Sequence, residues 1–298
     1  MEQLRHILRE TGADVRADHP LSKHSSFRIG GSAALACFPK NKTEMLAVLQ
    51  AVKRFGVCYA VIGNASNVVF DDKGFDGVVI FTGQWKELTV KENRICASAG
   101  VSLLSVSAVA RDLSLTGAEF AYGIPGTLGG AVFMNAGAFG GCMADICVRS
   151  EFFDSESETV GFFEGTAQEF SNRTSIYEKQ PRYTVLGAEL VLIPDEKGAI
   201  NARMEDFLAR RKKTQPLEYP SAGSVFKRPE GHFAGKLIED CGLKGVRVGG
   251  AEVSEKHAGF IVNRGGATSA DVRELVELIR DRVLRDTGVF LECEIRFL

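Results

Sequence analysis

Residues 122–141, YGIPGTLGGAVFMNAGAFGG, constrain the fold most, because glycine recurs throughout them. Each glycine inside a helix or strand costs about 0.5–1 kcal/mol relative to alanine. A bound cofactor could offset that cost, since exposed, oriented backbone amides form an anion-binding concavity. Tight turns between short strands would give a similar composition, so both interpretations stay open. Pro125 and Asn135 favour the cofactor, because a turn needs neither a rigidified loop nor an amide in an apolar segment.

Two common phosphate-binding motifs are absent from the chain. The dinucleotide motif G-x-G-x-x-G does not occur in residues 122–141. In GHFAGKL, residues 231–237, the glycines are one residue too close for a P-loop, and Leu237 stands where Ser or Thr binds magnesium. These differences exclude a Rossmann nicotinamide domain and a P-loop NTPase, and they leave a cofactor held by some other glycine-lined loop.

Composition narrows the functional class. With 298 residues the chain can form two or three compact units, and its net charge of −2 and pI near 6.3 argue against a nucleic-acid partner. The 7 cysteines include no C-x-x-C pair, and His232 and His257 lack metal-ligand neighbours, so we expect reduced thiols and no metal. The absence of a signal-like or membrane-length apolar run predicts a cytoplasmic protein that does not associate with membranes.

Hydrophobic periodicity predicts the main elements. Apolar residues at helical spacing predict helices over the first ten residues and over 43–55, 102–113, 199–213 and 269–286. Strands are expected at 57–62, 77–81, 147–154 and 183–193, with a polar loop at 171–180. A turn cluster at 194–198 marks a boundary before the last hundred residues, which form a separate α+β unit.

Polar residues stand at a few places where packing does not require them. The loop 63–67, GNASN, follows a buried strand, a position where α/β sheets bind ligands, although an ordinary polar turn has the same composition. Arg173 suits the binding of a carboxylate or a developing enolate by paired hydrogen bonds, or it is a surface arginine. In SAGSVFKR, residues 221–228, Ser224 suits proton donation, with a glycine-serine turn before two solvated cations as the alternative.

In the C-terminal sequence FLECEIRFL, residues 291–297 alternate between apolar and polar residues. A strand would therefore place Leu291, Cys293, Ile295 and Phe297 on one face and Glu294 on the other. Glu294 is then either part of a solvated sheet face or a carboxylate buried beside a cleft.

Together these motifs identify the chain as similar to the UDP-N-acetylenolpyruvoylglucosamine reductase family. The resemblance covers nearly the whole chain. It rests on IGNASNVVF (62–70), AYGIPGTLGGAVFMNAGAFGG (121–141), QPLEYPSAGSVFKRP (215–229), GHFAGKLIEDCGLKG (231–245), VSEKHAGFIVN (253–263) and LECEIRFL (291–298). Several motifs in the same order are far more specific than any one of them.

The resemblance implies an α+β protein with the two-subdomain FAD-binding fold of the PCMH/vanillyl-alcohol-oxidase type and a C-terminal substrate domain. The expected domains are 1–84 and 85–198, which bind non-covalent FAD between them, and 199–298, which binds a UDP-linked small molecule. NADPH would reduce the flavin, and hydride would pass from flavin N5 to the vinyl ether of the substrate, giving UDP-N-acetylmuramate for peptidoglycan synthesis. No protein partner is implied.

The same resemblance implies the site residues. Catalytic roles fall on Arg173, Ser224 as the proton donor, and Glu294. The FAD-binding residues would be Gly63, Asn64, Ala65, Ser66, Asn67, Gly123, Ile124, Pro125, Gly126, Gly129, Gly130, Asn135, Ala136 and Gly137. Lys227, Arg228 and Lys236 would bind the nucleotide diphosphate or the carboxylate.

The chain departs from the family pattern at two positions, and two other functions stay open. Asn172 stands where a tyrosine commonly precedes the arginine, and Thr214 stands where some relatives have lysine.

One alternative is an FAD-linked oxidoreductase of the same fold acting on another alcohol or sugar. The other is a non-catalytic nucleotide-binding module, against which the joint presence of Arg173, Ser224 and Glu294 argues.

Overall fold

The computed structural model describes residues 1–298. Its helices are α1 (Glu2–Glu10), α2 (Lys42–Arg54), α3 (Leu103–Asp112), α4 (Leu128–Met134), α5 (Met143–Ile146), α6 (Ile176–Lys179), α7 (Lys197–Thr214), α8 (Ala234–Asp240) and α9 (Ser269–Thr287). Short 3-10 turns lie at Leu21–Lys23, Thr82–Gln84, Glu119–Ala121 and Gly165–Gln168. None of the helices combines the length and the apolar composition needed to cross a membrane.

The strands are mostly short. They are β1 (Asp14–Pro20), β2 (Ser32–Phe38), β3 (Tyr59–Ile62), β4 (Val68–Val69), β5 (Phe75–Phe81), β6 (Leu88–Lys91), β7 (Arg94–Ser98), β8 (Leu115–Thr116), β9 (Gly137–Ala138), β10 (Gly141–Cys142), β11 (Cys147–Asp154), β12 (Thr159–Glu164), β13 (Tyr183–Val191), β14 (Ile193–Pro194), β15 (Ser221–Ser224), β16 (Arg247–Val248), β17 (Ala251–Val253), β18 (Phe260–Asn263) and β19 (Arg296–Phe297).

The contacts within the chain divide it into two compact units. The first unit consists of Met1–Ala17, Leu35–Asn64 and Gly77–Arg210, and the second consists of Asp18–Ala34, Ala65–Asp76 and Arg211–Leu298. The segments Asp18–Ala34 and Ala65–Asp76 thus belong to the same unit as the C-terminal third of the chain. A division of the sequence into consecutive domains does not predict this grouping. The three domains 1–84, 85–198 and 199–298 stay a prediction.

One core of the first unit joins the N-terminal helices to a four-stranded sheet of order β1-β2-β5-β3. Helix α2 begins one residue before the predicted start at 43, because the Asn41 side chain caps it by accepting a hydrogen bond of 2.9 Å from Glu44 N. Its apolar face buries Val48 and Leu49 completely. Strands β3 and β5 run parallel, so the loop at 63–67 leaves the carboxyl end of a parallel strand as expected.

The second core of the first unit lies on a five-stranded sheet of order β12-β11-β13-β7-β6, whose neighbouring strands run antiparallel. Helices α3 and α4 contribute buried residues to this core, among them Leu103, Val106 and Leu128. The predicted polar loop at 171–180 is wrong in its second half, where α6 forms and buries Ile176 and Tyr177. Burial of these apolar side chains favours a helical turn. The polar residues around them in the sequence show no helical periodicity, so the sequence did not predict it.

The second unit is an α+β structure around a four-stranded sheet of order β15-β18-β17-β16. Helix α9 confirms the predicted helix at 269–286, with a capping box between Thr268 and Asp271 and Gly288 in the left-handed conformation at its end. Its apolar stripe, including Val272, Leu275 and Ile279, is buried in the core of this unit.

The C-terminal sequence follows the predicted alternation in burial but forms little regular strand. Leu291 and Ile295 are buried, whereas Glu292 is exposed. Only β19 forms a ladder, parallel to β4, while an isolated bridge joins Phe226 to Cys293. The apolar residues of the segment therefore pack on the core of the second unit as alternation predicted, whereas Glu294 on the other face is half-buried.

Candidate functional site

In the first unit, the loop that begins at Gly63 lies against the glycine-rich segment. Asn64 Nδ2 donates a hydrogen bond of 3.2 Å to Pro125 O. A Cβ on Gly63 would come within 2.2 Å of Thr127 Oγ1, so only glycine permits this approach. Thr127 in turn caps α4 by accepting from Gly130 N at 3.4 Å. The structure thus brings together two of the segments expected to bind FAD.

Several backbone N–H groups in these two segments have no acceptor in the protein. They are those of Gly63, Asn64, Gly123, Gly126 and Thr127, which we call the amide cradle. Backbone amides left without partners are costly unless water or a ligand accepts their hydrogen bonds. Backbone N–H groups without protein acceptors, on two segments that are in contact, suit an anion such as the phosphates of a dinucleotide. The residues present therefore fit FAD.

The remaining glycines divide into two groups. A Cβ on Gly129 would lie 2.7 Å from Ala99 Cβ, on Gly137 2.7 Å from Gly141 O, and on Gly141 2.8 Å from Phe120 Cδ1. These glycines let the protein pack closely on itself. Gly130 is exposed, and a Cβ added to it would meet Thr127 Oγ1 at an ordinary contact distance of 3.7 Å. The many glycines of residues 122–141 therefore allow close packing within the protein, in addition to forming part of the amide cradle.

Asn135 ends α4 and connects two parts of the first unit. Its backbone has a positive φ of 42°, which asparagine tolerates better than most residues. Its Nδ2 donates to Ser171 O at 2.9 Å, and its Oδ1 accepts from Ala144 N at 2.9 Å. The side-chain amide thus makes one hydrogen bond to a protein group at each end, and a contact between Asn135 and FAD stays a prediction.

Arg173 lies in the turn just after Ser171, and this turn packs on the same segment. Ser171 and Thr174 exchange backbone hydrogen bonds of 3.0 and 3.3 Å across the turn. Arg173 has a positive φ of 57°, and its Nη2 donates to Gly137 O at 3.0 Å. Ser175 Oγ donates to Phe133 O at 2.8 Å. The structure thus places the predicted arginine beside the end of α4, not on a free surface.

In the second unit, the predicted proton donor and the predicted acid lie on adjoining segments. Ser224 ends β15, and Glu294 N donates to the carbonyl of the next residue, Val225, at 2.7 Å. Asn67 Nδ2 donates to Glu294 O at 3.1 Å. Ser26 Oγ, which the sequence analysis did not single out, donates to Ser221 O at 2.7 Å. The half-buried Ser224 makes no side-chain hydrogen bond within the protein, so its hydroxyl can donate to a ligand.

The three predicted substrate cations differ in their partners. Lys227 Nζ lies 2.6 Å from Glu292 Oε1, and Lys236 pairs with Asp240. Arg228 has no carboxylate partner; its guanidinium carbon lies 4.0 Å from the centre of the Phe233 ring, which is 61% exposed. Among the three, Arg228 is the best placed to accept an anionic ligand without breaking an ion pair.

His257 supports the strand that carries Ser224. Burial lowers the pKa of His257, so the ring is neutral, and Nδ1 accepts from Gly259 N at 3.1 Å. Gly259 O accepts from Val225 N at 2.9 Å. A neutral ring therefore stabilises the turn that pairs with the residue after Ser224.

Sequence reasoning missed two residues whose side-chain hydroxyl groups form hydrogen bonds with backbone atoms of helix α4. Thr127 and Ser175 were not singled out, although a threonine just before a helix is a recognisable cap. Ser175 gave no comparable pattern, because its partner, Phe133 O, is distant in sequence.

Comparisons with family models match both parts of the chain. A model described as the C-terminal domain of UDP-N-acetylenolpyruvoylglucosamine reductase matches residues 215–298. A model described as an FAD binding domain matches residues 33–162.

Individual relatives match nearly the full length. The UDP-N-acetylenolpyruvoylglucosamine reductase of Moorella thermoacetica is 44% identical over 94% of this chain and 92% of that protein. The reductase of the same name from Alkaliphilus oremlandii is 46% identical over 95% and 93%. The crystal structure of the reductase from Thermus caldophilus is 33% identical, with a TM-score of 0.77 over 96% of this chain and 98% of that one. A berberine bridge enzyme variant, 13% identical with a TM-score of 0.50 over 65% of this chain and 44% of that one, shows a likeness of fold alone.

Proposed function

The chain belongs to the UDP-N-acetylenolpyruvoylglucosamine reductase family, and we propose that it uses NADPH to reduce UDP-N-acetyl-3-O-(1-carboxyvinyl)glucosamine to UDP-N-acetylmuramate. The expected fold class, an FAD-binding fold with a C-terminal domain of this family, is confirmed. The protein is an FAD-dependent oxidoreductase of peptidoglycan synthesis. In this chain, the observation that carries the proposal is the amide cradle beside the hydrogen bond from Asn64 to Pro125.

FAD would be held mainly by main-chain groups. The amide cradle suits its phosphates, and the exposed backbone of Gly130 supports a close approach to a ligand. Ala65, Ser66 and Asn67 continue the first loop, and none of their N–H groups donates within the protein. When bound, FAD supplies the two-electron chemistry, because it can accept hydride from NADPH and release it to a carbon–carbon double bond.

The protein's own side chains would stabilise the negative charge that forms on the substrate and would supply the proton that the substrate takes up. Addition of hydride to the terminal vinyl carbon breaks the double bond and leaves an electron pair shared between the neighbouring carbon and the carboxylate. We assign to Arg173 the stabilisation of that charge, since a planar guanidinium holds a carboxylate by two hydrogen bonds. Ser224 then gives its proton to the neighbouring carbon, with assistance from Glu294, and regains one from solvent.

Cations of the second unit would bind the nucleotide. Arg228 would contact the diphosphate directly, because it has no carboxylate partner in the protein. Lys227 and Lys236 would exchange Glu292 and Asp240 for substrate oxygens. All 7 cysteines are free thiols, which supports the cytoplasm as the proposed compartment.

The spectrum of the purified protein in its two half-reactions tests the proposal. We expect visible flavin absorption, its loss when NADPH is added without oxygen, and its return when the enolpyruvyl substrate is added. UDP-N-acetylglucosamine, which lacks the vinyl ether, is the control and should not restore the absorption. A colourless protein, or a flavin that simple sugars or alcohols reduce while the enolpyruvyl substrate leaves it reduced, would contradict the proposal.

A further inference from the structure

Three hydrogen bonds connect the residues around Arg173 to the end of helix α4. We call residues 171–175 the arginine turn. Ser171 O accepts from Asn135 Nδ2 at 2.9 Å, Ser175 Oγ donates to Phe133 O at 2.8 Å, and Arg173 Nη2 donates to Gly137 O at 3.0 Å. Both ends of the turn and its central side chain are therefore attached to residues 133–137, which lie next to one another in the chain.

The arginine turn needs such support because its backbone is strained. Arg173 has a φ of 57°, in the left-handed region that residues with a Cβ rarely occupy. A strained residue of this kind persists only where surrounding contacts hold it, and such residues concentrate at functional sites. The two backbone hydrogen bonds between Ser171 and Thr174 close the turn but do not fix its direction. The bonds to the end of α4 supply that direction.

Asn135 is the centre of this support. It is 7% exposed, and both ends of its amide are used: Nδ2 donates to Ser171 O, and Oδ1 accepts from Ala144 N at 2.9 Å. Its left-handed backbone, with φ 42°, ends the helix and turns the side chain toward these partners. Glycine could adopt the same backbone but could make neither bond.

We propose that Asn135 is a positioning residue that orients the guanidinium of Arg173 toward the substrate carboxylate. This inference rests on the role proposed for Arg173 in the reaction, and it gives the Asn135 side chain a role besides the FAD contact expected of this residue. A guanidinium stabilises developing charge only when its direction is fixed beforehand, so a small displacement of the arginine turn lowers the rate of the step that creates the charge.

Two substitutions of Asn135 separate its bonds. In Asn135→Asp the side chain still accepts from Ala144 N, but the donor to Ser171 O is replaced by an oxygen. In Asn135→Gly both bonds are lost, and the positive φ remains allowed, so this variant covers the case in which Asn135→Asp does not fold. Asn93→Asp is the matched control, because Asn93 Nδ2 makes the same kind of bond, 2.8 Å to Leu192 O, away from the arginine turn.

The half-reactions give the first measurement. Both Asn135 variants should retain FAD, and the rate at which NADPH reduces each of them is the internal reference for that variant. Reoxidation by the enolpyruvyl substrate at saturation should slow about ten- to a hundredfold, as expected for a misplaced catalytic group. Asn93→Asp should match the wild type. Loss of FAD from both variants, or equal slowing of both half-reactions, would overturn the inference.

Coupling to Arg173 gives the second measurement. In an Arg173→Ala background, replacement of Asn135 should slow reoxidation no further, because there is no guanidinium left to orient. Additive losses would contradict the positioning role. A third readout needs no turnover: backbone amides of the arginine turn should exchange with deuterium faster in both Asn135 variants without FAD, and unchanged exchange would contradict the proposal.

The outcomes also separate this inference from the proposed function. If the enolpyruvyl substrate fails to reoxidise the wild-type protein, the function is wrong. If it reoxidises the wild type and both folded Asn135 variants equally fast, the function stands and the inference fails.

Discussion

The two regions that carry the predicted catalytic residues are held in different ways. In the first unit, side chains position the arginine turn, because Asn135 and Ser175 bond to main-chain oxygens. In the second unit, main-chain hydrogen bonds position the segments that carry Ser224 and Glu294. These bonds run from Glu294 N to Val225 O at 2.7 Å, from Lys227 N to Glu292 O at 2.9 Å and from Val225 N to Gly259 O at 2.9 Å.

This difference predicts where each region is sensitive to substitution. A main-chain hydrogen bond survives most side-chain replacements, so Ser224 and Glu294 should keep their places when neighbouring side chains change. A side-chain hydrogen bond disappears with its residue, and the strained backbone of Arg173 then loses support. Substitutions near Arg173 should therefore alter catalysis indirectly, whereas substitutions in the second region should act mainly through the replaced group itself.

The largest effect should come from Ser224→Ala, which tests this distinction most directly. The Ser224 hydroxyl makes no hydrogen bond in the protein, so folding stability and FAD reduction by NADPH should not change. Reoxidation by the enolpyruvyl substrate should slow about 10²–10⁴-fold, the usual contribution of a general acid. Stopped-flow absorbance measures both half-reactions, and Ser221→Ala on the same strand is the control. Equal slowing of the two half-reactions would show that Ser224 is not the proton donor.

A smaller effect should come from Arg228→Ala. This substitution removes a cationic side chain and leaves intact the main-chain hydrogen bonds that hold the segments of Ser224 and Glu294. Loss of one charge-assisted hydrogen bond to a phosphate should raise the KM for the substrate about tenfold and leave kcat nearly unchanged. Steady-state kinetics measure both constants. Lys244→Ala is the control, since Lys244 is another cation of this unit and is paired with Glu239 at 2.8 Å. An unchanged KM would argue against a contact between Arg228 and the nucleotide.

The smallest effect should come from Asn67→Ala. This substitution removes from the second region the same kind of bond that Asn135 makes in the first, an asparagine side-chain hydrogen bond to a main-chain oxygen. Asn67 Nδ2 donates to Glu294 O just as Asn135 Nδ2 donates to Ser171 O, at 3.1 and 2.9 Å. Main-chain bonds also hold Glu294, so reoxidation by the substrate should slow only about threefold or less, well below the loss in Asn135→Asp. A loss in Asn67→Ala as large as that in Asn135→Asp would remove the distinction between the regions.

The elements built from local contacts could be predicted from the sequence. Helices α2 and α9 lie where apolar periodicity indicated, because this signal comes from residues one turn apart. The motif around Ser224 and the acid Glu294 were also identified as candidates, and the structure places them on adjoining segments. Helix α6 was missed, because its short apolar pair lies inside a polar stretch and is buried only by distant neighbours.

By itself, the sequence determined the family, the positions of the long amphipathic elements and the alternating faces of the C-terminal segment. These features follow from side-chain spacing and from motifs that are continuous along the chain. Only the tertiary structure decided that Asn135 supports Arg173, that Gly63 packs on Thr127, and that residues 18–34 and 65–76 belong with the C-terminal unit. Each of these depends on hydrogen bonds or close contacts between residues far apart in the chain, and spacing along a sequence does not specify which distant groups meet.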